Sequence, residues 1–86
     1  MSTEAVAQVR QHLRLGHRVG LEYADPRRFK AGSWQSGPTL AATQEAEVLA
    51  QIEQFLAQHS GDYVRLLGID PRAKLRQFEQ VIQTPG

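Results

Sequence analysis

Residues 63–70 read YVRLLGID, and this stretch decides the fold. Aromatic, β-branched and leucine side chains follow one another with Arg65 as the one internal charge, and the pair Asp70-Pro71 stops the run. That is the pattern of a buried strand. On its N-terminal side lies the strongest helical signal in the chain. Thr43 is placed to cap, Gln44, Glu45 and Glu47 suit a first turn, and Ala46, Leu49, Ile52, Phe55 and Leu56 fall on one apolar stripe before His59 and Gly61 close it. On its C-terminal side, RAKLRQFEQVIQ is open to two readings. Leu75, Phe78 and Ile82 fit a helix, which periodicity slightly favours, while Phe78, Gln80 and Ile82 fit one face of a strand.

Further toward the N-terminus, SWQS (residues 33–36) predicts a short strand anchored by Trp34 and halted by Gly37-Pro38. Before it, Asp25 can cap and Pro26 suits a first helical position, so Arg27, Arg28 and Phe29 form one turn that Gly32 ends. In RVGLEYA, Val19, Leu21 and Tyr23 alternate with Gly20, Glu22 and Ala24, the period of a half-buried strand. The chain opens with a helix capped by Ser2 or Thr3, carrying Val6, Val9 and Leu13 and ended by Gly16. The expected class is α+β.

With 86 residues, 41% of them hydrophobic and 22% charged, the chain is expected to form one folded domain over residues 1–86. It has no cysteine, which removes disulfides, thiolate metal sites and cysteine nucleophiles together and fits an intracellular setting. No apolar run approaches the roughly 20 residues that span a bilayer, and the first residues lack a signal-peptide core, so no membrane association and no export are expected. The polar end Thr84-Pro85-Gly86 reads as the start of a linker. A net charge of +1 advertises no nucleic acid, but its distribution is uneven. Arg10, Arg14, Arg18, Arg27, Arg28 and Lys30 face only Glu22 and Asp25 between positions 10 and 30. From position 45 to 62 Glu45, Glu47, Glu53 and Asp62 stand without any lysine or arginine. A basic face and an acidic helix follow.

Catalytic patterns are missing from the sequence. His12, His17 and His59 never take the i, i+4 spacing of two metal ligands on one helix face, and are expected to be solvated or, for His59, to favour a helix C-terminus. Ser33, Ser36 and Ser60 lack a nucleophile elbow, the glycines form no phosphate-cradling motif, and the glutamates of the second long helix read as a solvated face. Neither cofactor nor metal is expected. What stands out is Arg27, Arg28 and Lys30 on one turn, suited to meet carboxylates through charge-assisted bonds, with Phe29 turned inward. Trp34 and Tyr23 read as core. The residues therefore point to a protein-binding domain and not to an enzyme; nucleic acid is disfavoured because no stacking pair or recognised motif accompanies the basic turn.

Taken in order, GHRVGLEYAD, RRFKAGSWQSGP, an acidic amphipathic helix and GDYVRLLGID resemble the small subunit-like domains of β-carboxysome scaffolds, across nearly the whole chain. Those domains are similar in turn to the small subunit of Rubisco, whose landmarks match Leu21-Glu22, Trp34 and Val64 to Asp70. The short DPRRFKAG, where a true small subunit has a long loop, is the scaffold-type pattern. Domains of this kind also appear on some cyanobacterial Rubisco activases. The resemblance implies an antiparallel sheet of about four strands with two main helices on one face and a short helical turn in place of that loop, and it turns Phe78 to Ile82 into a strand. It implies a non-catalytic module that docks on the Rubisco holoenzyme without displacing small subunits, through Arg27 and Arg28 with Lys30 beside them. Tandem copies would crosslink holoenzymes in the cytoplasm within the β-carboxysome, and the isolated domain is expected to be a monomer. Some sister domains carry a cysteine pair that makes binding redox-dependent; the matching positions here are Gly37 and Phe55, so Phe55 is expected to fill the space of that pair.

Overall fold

A computed structural model describes residues 1–86. Its elements are α1 (Thr3–Arg14), β1 (Arg18–Ala24), α2 (Pro26–Lys30), β2 (Gln35–Leu40), α3 (Glu45–Gln58), β3 (Tyr63–Asp70) and β4 (Leu75–Gln83). The four strands form one antiparallel sheet in the order β2-β1-β3-β4. YVRLLGID is therefore an interior strand, paired along both of its backbone edges. Val64 and Leu66 join Val19, Leu21 and Leu40 in a core completed by Val9 of α1 and by Val48, Ile52 and Leu56 of α3. Both long helices thus cover the same face of the sheet.

Within residues 72–83, a turn through Lys74 leads into a strand over Leu75–Gln83. Phe78 pairs with Gly68 and Gln80 with Leu66, and Lys74 takes the left-handed conformation (φ 53°) that turns β3 back into β4. The helical spacing of Leu75, Phe78 and Ile82 misleads because a bulge between Gly68 and Ile69 inserts Gln77, breaking the two-residue period. Gln83 then ties the strand to the helix layer, its side-chain amide donating to the His59 carbonyl at 2.8 Å.

Several local expectations need correction. The second strand is not SWQS: it begins at Gln35 and runs through Gly37-Pro38 to Leu40. An edge strand tolerates a proline, since the missing N–H faces no neighbour. Gly37 passes close over β1, for a Cβ there would stand 2.5 Å from the Leu21 carbonyl oxygen. Helix α3 is preceded by Gln44 with no side-chain cap, so Thr43 does not cap it. Its buried stripe is Val48, Ile52 and Leu56, with Leu49 and Phe55 at the edges and Ala46 exposed. Strand β1 is covered on both faces, and Glu22 is only 8% exposed.

His12 is buried, not solvated. Its ring lies flat on the bare backbone of Gly68, where a Cβ would meet three ring atoms at 2.6–2.8 Å. Phe78 packs against it, and its Nδ1 stands 3.1 Å from Nδ1 of His17. Desolvation first, and the neighbouring His17 second, hold the His12 pKa below its ordinary value. His59 does sit at the end of α3, its ring against Phe55 and Tyr23 and its Nδ1 2.9 Å from Asp62. On the helix layer's outer side, Glu45 takes two hydrogen bonds from the Arg10 guanidinium, at 2.8 and 3.1 Å. The acidic face of α3 is thereby pinned to α1 at one point; that bond holds the Glu45 carboxyl below its usual range and Arg10 above its own.

Candidate binding surface at the basic turn

Asp25 follows β1 in an extended conformation, and its Oδ1 accepts the Arg28 N–H at 2.7 Å, the capping bond that starts α2. Pro26 fills the first helical position, where no N–H is needed. After one turn the helix closes in a Schellman arrangement: Gly32 adopts φ +70°, its N–H donates to Phe29 at 3.1 Å, and the Ser33 N–H donates to the Arg28 carbonyl at 2.8 Å. Such a short helix has little stability alone. Phe29 supplies it, stacking on Tyr63 with ring centres 3.7 Å apart and meeting Trp34 edge-on at 5.7 Å.

With Phe29 turned inward, Arg27, Arg28 and Lys30 all face solvent. Arg28 is partly engaged, its guanidinium 3.2 Å from Asp25. Neither Arg27 nor Lys30 has a carboxylate within ion-pair distance. Asp25, Arg27, Arg28, Ala31 and Ser33 line a shallow depression of about 400 Å³. The arrangement offers two guanidinium forks and an ammonium on a turn whose backbone is fixed, suited to carboxylates on an opposing surface.

Sequence reasoning missed a second cluster, on the sheet face that no helix covers. Trp34 lies there and not in the core, because it shares the parity of Ser36, which pairs with Glu22 on that side. The Arg65 guanidinium sits 4.5 Å from the Trp34 ring centre, bonds Glu22 at 2.8 Å through Nε, and reaches Glu79 at 2.7 Å. Arg76 closes the network with a 3.0 Å bond to the other Glu22 oxygen. The signal was present: a single arginine inside an apolar strand needs a partner, and Glu22 is the one acid in the polar phase of β1. The two clusters meet at Trp34, which touches Phe29 on one side and Arg65 on the other. No group of three or more histidine, cysteine, aspartate or glutamate side chains comes together that could hold a metal ion. No helix is long and apolar enough to cross a membrane.

A four-stranded antiparallel sheet of order β2-β1-β3-β4, backed on one face by two helices and carrying a one-turn basic helix after its first strand, defines an α+β module of the Rubisco small-subunit type. The chain belongs to the ribulose bisphosphate carboxylase small-chain family, whose model matches residues 1–85. It is similar to the carboxysome assembly protein CcmM of Synechocystis sp., at 51% identity over 86 residues, covering 100% of this chain and 12% of that protein. Against CcmM of Nostoc sp. the identity is 51% over 85 residues, covering 99% of this chain and 15% of the relative. Against a ribulose bisphosphate carboxylase/oxygenase activase of Anabaena sp. it is 46% over 86 residues, covering 100% and 21%. The chain thus spans between 12% and 21% of the length of these relatives.

Proposed function

We propose that this chain is one non-catalytic module that docks on the Rubisco holoenzyme, leaving the resident small subunits in place. The observation that carries the reading is the basic turn: Arg27 and Lys30 stand unpaired and Arg28 half-engaged on a helix whose position is fixed by a cap at one end and an aromatic stack beneath. Acidic side chains of the partner complete these charges, giving weak, salt-sensitive contacts from each copy. Where a parent protein carries several copies on linkers, effective concentration multiplies the affinity, and copies bound to different holoenzymes crosslink them into a condensate in the cytoplasm, within the β-carboxysome. The names of the carboxysome assembly relatives support that setting. The similarity to activases supports a second reading, in which the same docking tethers a remodelling enzyme to Rubisco.

The test is charge reversal. A tandem protein carrying Arg27→Asp and Arg28→Asp in each copy is expected to keep its circular dichroism spectrum and to lose Rubisco co-sedimentation at physiological salt. Undiminished co-sedimentation refutes the arginine pair as the contact. Mass measurement of the complex then separates docking, in which all small subunits remain, from incorporation.

A further inference from the structure

Ser33 is the one hydroxyl-bearing side chain lining the depression that Arg27 and Arg28 also line. It is exposed, and the Schellman bond from its N–H to the Arg28 carbonyl at 2.8 Å pins its backbone against the turn that carries both arginines. No side-chain hydrogen bond engages its hydroxyl. Lys30, Arg28 and Arg27 lie three, five and six residues before it in sequence. Three cations against the single carboxylate of Asp25 leave this turn with a surplus of two positive charges.

From this geometry we infer that Ser33 is a phosphorylation site that switches docking off. The inference rests on the docking reading above and adds its regulation. A serine/threonine protein kinase supplies the reaction with ATP as donor: the Ser33 oxygen forms a bond to the γ-phosphorus, and the bond from that phosphorus to the β–γ bridging oxygen breaks. ADP leaves with the electron pair, and the hydroxyl proton passes to the kinase base. The product carries close to −2 charge and three strong acceptor oxygens at neutral pH. That charge matches the surplus of the turn, so the patch becomes neutral. The phosphate also meets Arg27 and Arg28 from within the same chain, always at high local concentration, and takes the donors that a partner's carboxylates need. Because the neighbouring backbone is capped at both ends, the switch acts through charge and leaves the fold in place.

The experiment incorporates phosphoserine genetically at position 33 of the full chain and, as a control, at the exposed Ser60 in the loop after α3. Binding to purified Rubisco is measured for both and for the unmodified chain. Phosphorylated Ser33 is expected to weaken binding at least about tenfold, with recovery after phosphatase treatment, while phosphorylated Ser60 changes it less than about twofold. The Ser33 phosphate is also expected to titrate in phosphorus NMR below free phosphoserine, and to return toward it in Arg27→Ala/Arg28→Ala. Equal binding with and without phosphate at Ser33, or an equal loss from Ser60, overturns the switch. Failure of the unmodified chain to bind overturns the docking reading instead. In cells that make the parent protein, phosphopeptide mapping is expected to find phosphate on Ser33, and its absence across growth conditions overturns the assignment of the site.

Discussion

Arg65 Nη2 stands 2.6 Å from Glu22 Oε1 across two neighbouring strands, on a sheet face that no helix covers. The Glu22 side chain is nonetheless only 11% exposed and that of Arg65 20%, because Arg76, Glu79 and Trp34 close over them. A flat ionic lid performs here what a helix layer performs on the other face.

Its members are unequal. Glu22→Gln keeps the shape but leaves two arginines with only the more exposed Glu79 as a shared anion, and is expected to lower stability by roughly 3 kcal/mol. Glu79 is 44% exposed, and Glu79→Gln is expected to cost less than about 1 kcal/mol. Urea denaturation of both variants checks the ranking, and equal midpoints would remove the special role of Glu22.

Acid is expected to destabilise the fold through His12. Its folded pKa lies below the ordinary 6.5, so the unfolded chain binds the proton more tightly than the native one. Stability from this source is therefore complete above about pH 6.5 and is lost as pH falls from there toward the folded value, at no more than about 1.4 kcal/mol per pH unit. Thermal melts from pH 7.5 to 5 should show the decline, and His12→Phe, which offers a ring without a proton, should flatten it.

The seat beneath that ring gives a paired test. Gly68→Ala places a methyl where the His12 ring lies, and is expected to cost about 2–3 kcal/mol by overpacking. Adding His12→Ala removes the ring and should return part of the loss, giving a coupling well above about 0.5 kcal/mol in a double-mutant cycle. Strict additivity would show that the two positions do not share space.

Salt should separate docking from folding. The exposed cations of α2 lie in a screened environment, so raising ionic strength from about 50 to about 500 mM is expected to weaken Rubisco binding severalfold with little change in the melting temperature. Salt-independent binding measured by interferometry would argue for an apolar contact elsewhere.

The basic turn was legible in the sequence because each of its parts is local: Asp25 caps, Pro26 starts, Phe29 turns inward and Gly32 stops. The buried strand at 63–70 was legible for the same reason. What the residues alone hid was non-local. Whether 72–83 is helix or strand depends on an edge of β3 waiting to be paired, a fact carried by residues outside that segment; the family resemblance supplied it. The burial of His12 depends on an absent side chain at Gly68, 56 positions away, and the placement of Trp34 depends on which side of β1 holds Glu22. Helix α3 was found as an element, but its stripe was displaced because the sheet meets Val48 and not Ala46.

Gly37 and Phe55 are close neighbours: a Cβ on the glycine would lie 3.2 Å from the Phe55 ring tip and 2.5 Å from the Leu21 carbonyl oxygen. A thiol at position 37 therefore has no room unless the edge strand first moves away from β1. Within this chain the joint between β2 and α3 is made of carbon and backbone, indifferent to whether its surroundings are oxidising or reducing. A copy built this way keeps one shape under either condition, and on the docking reading proposed above any control over binding falls to charge, as at the serine beside the two arginines.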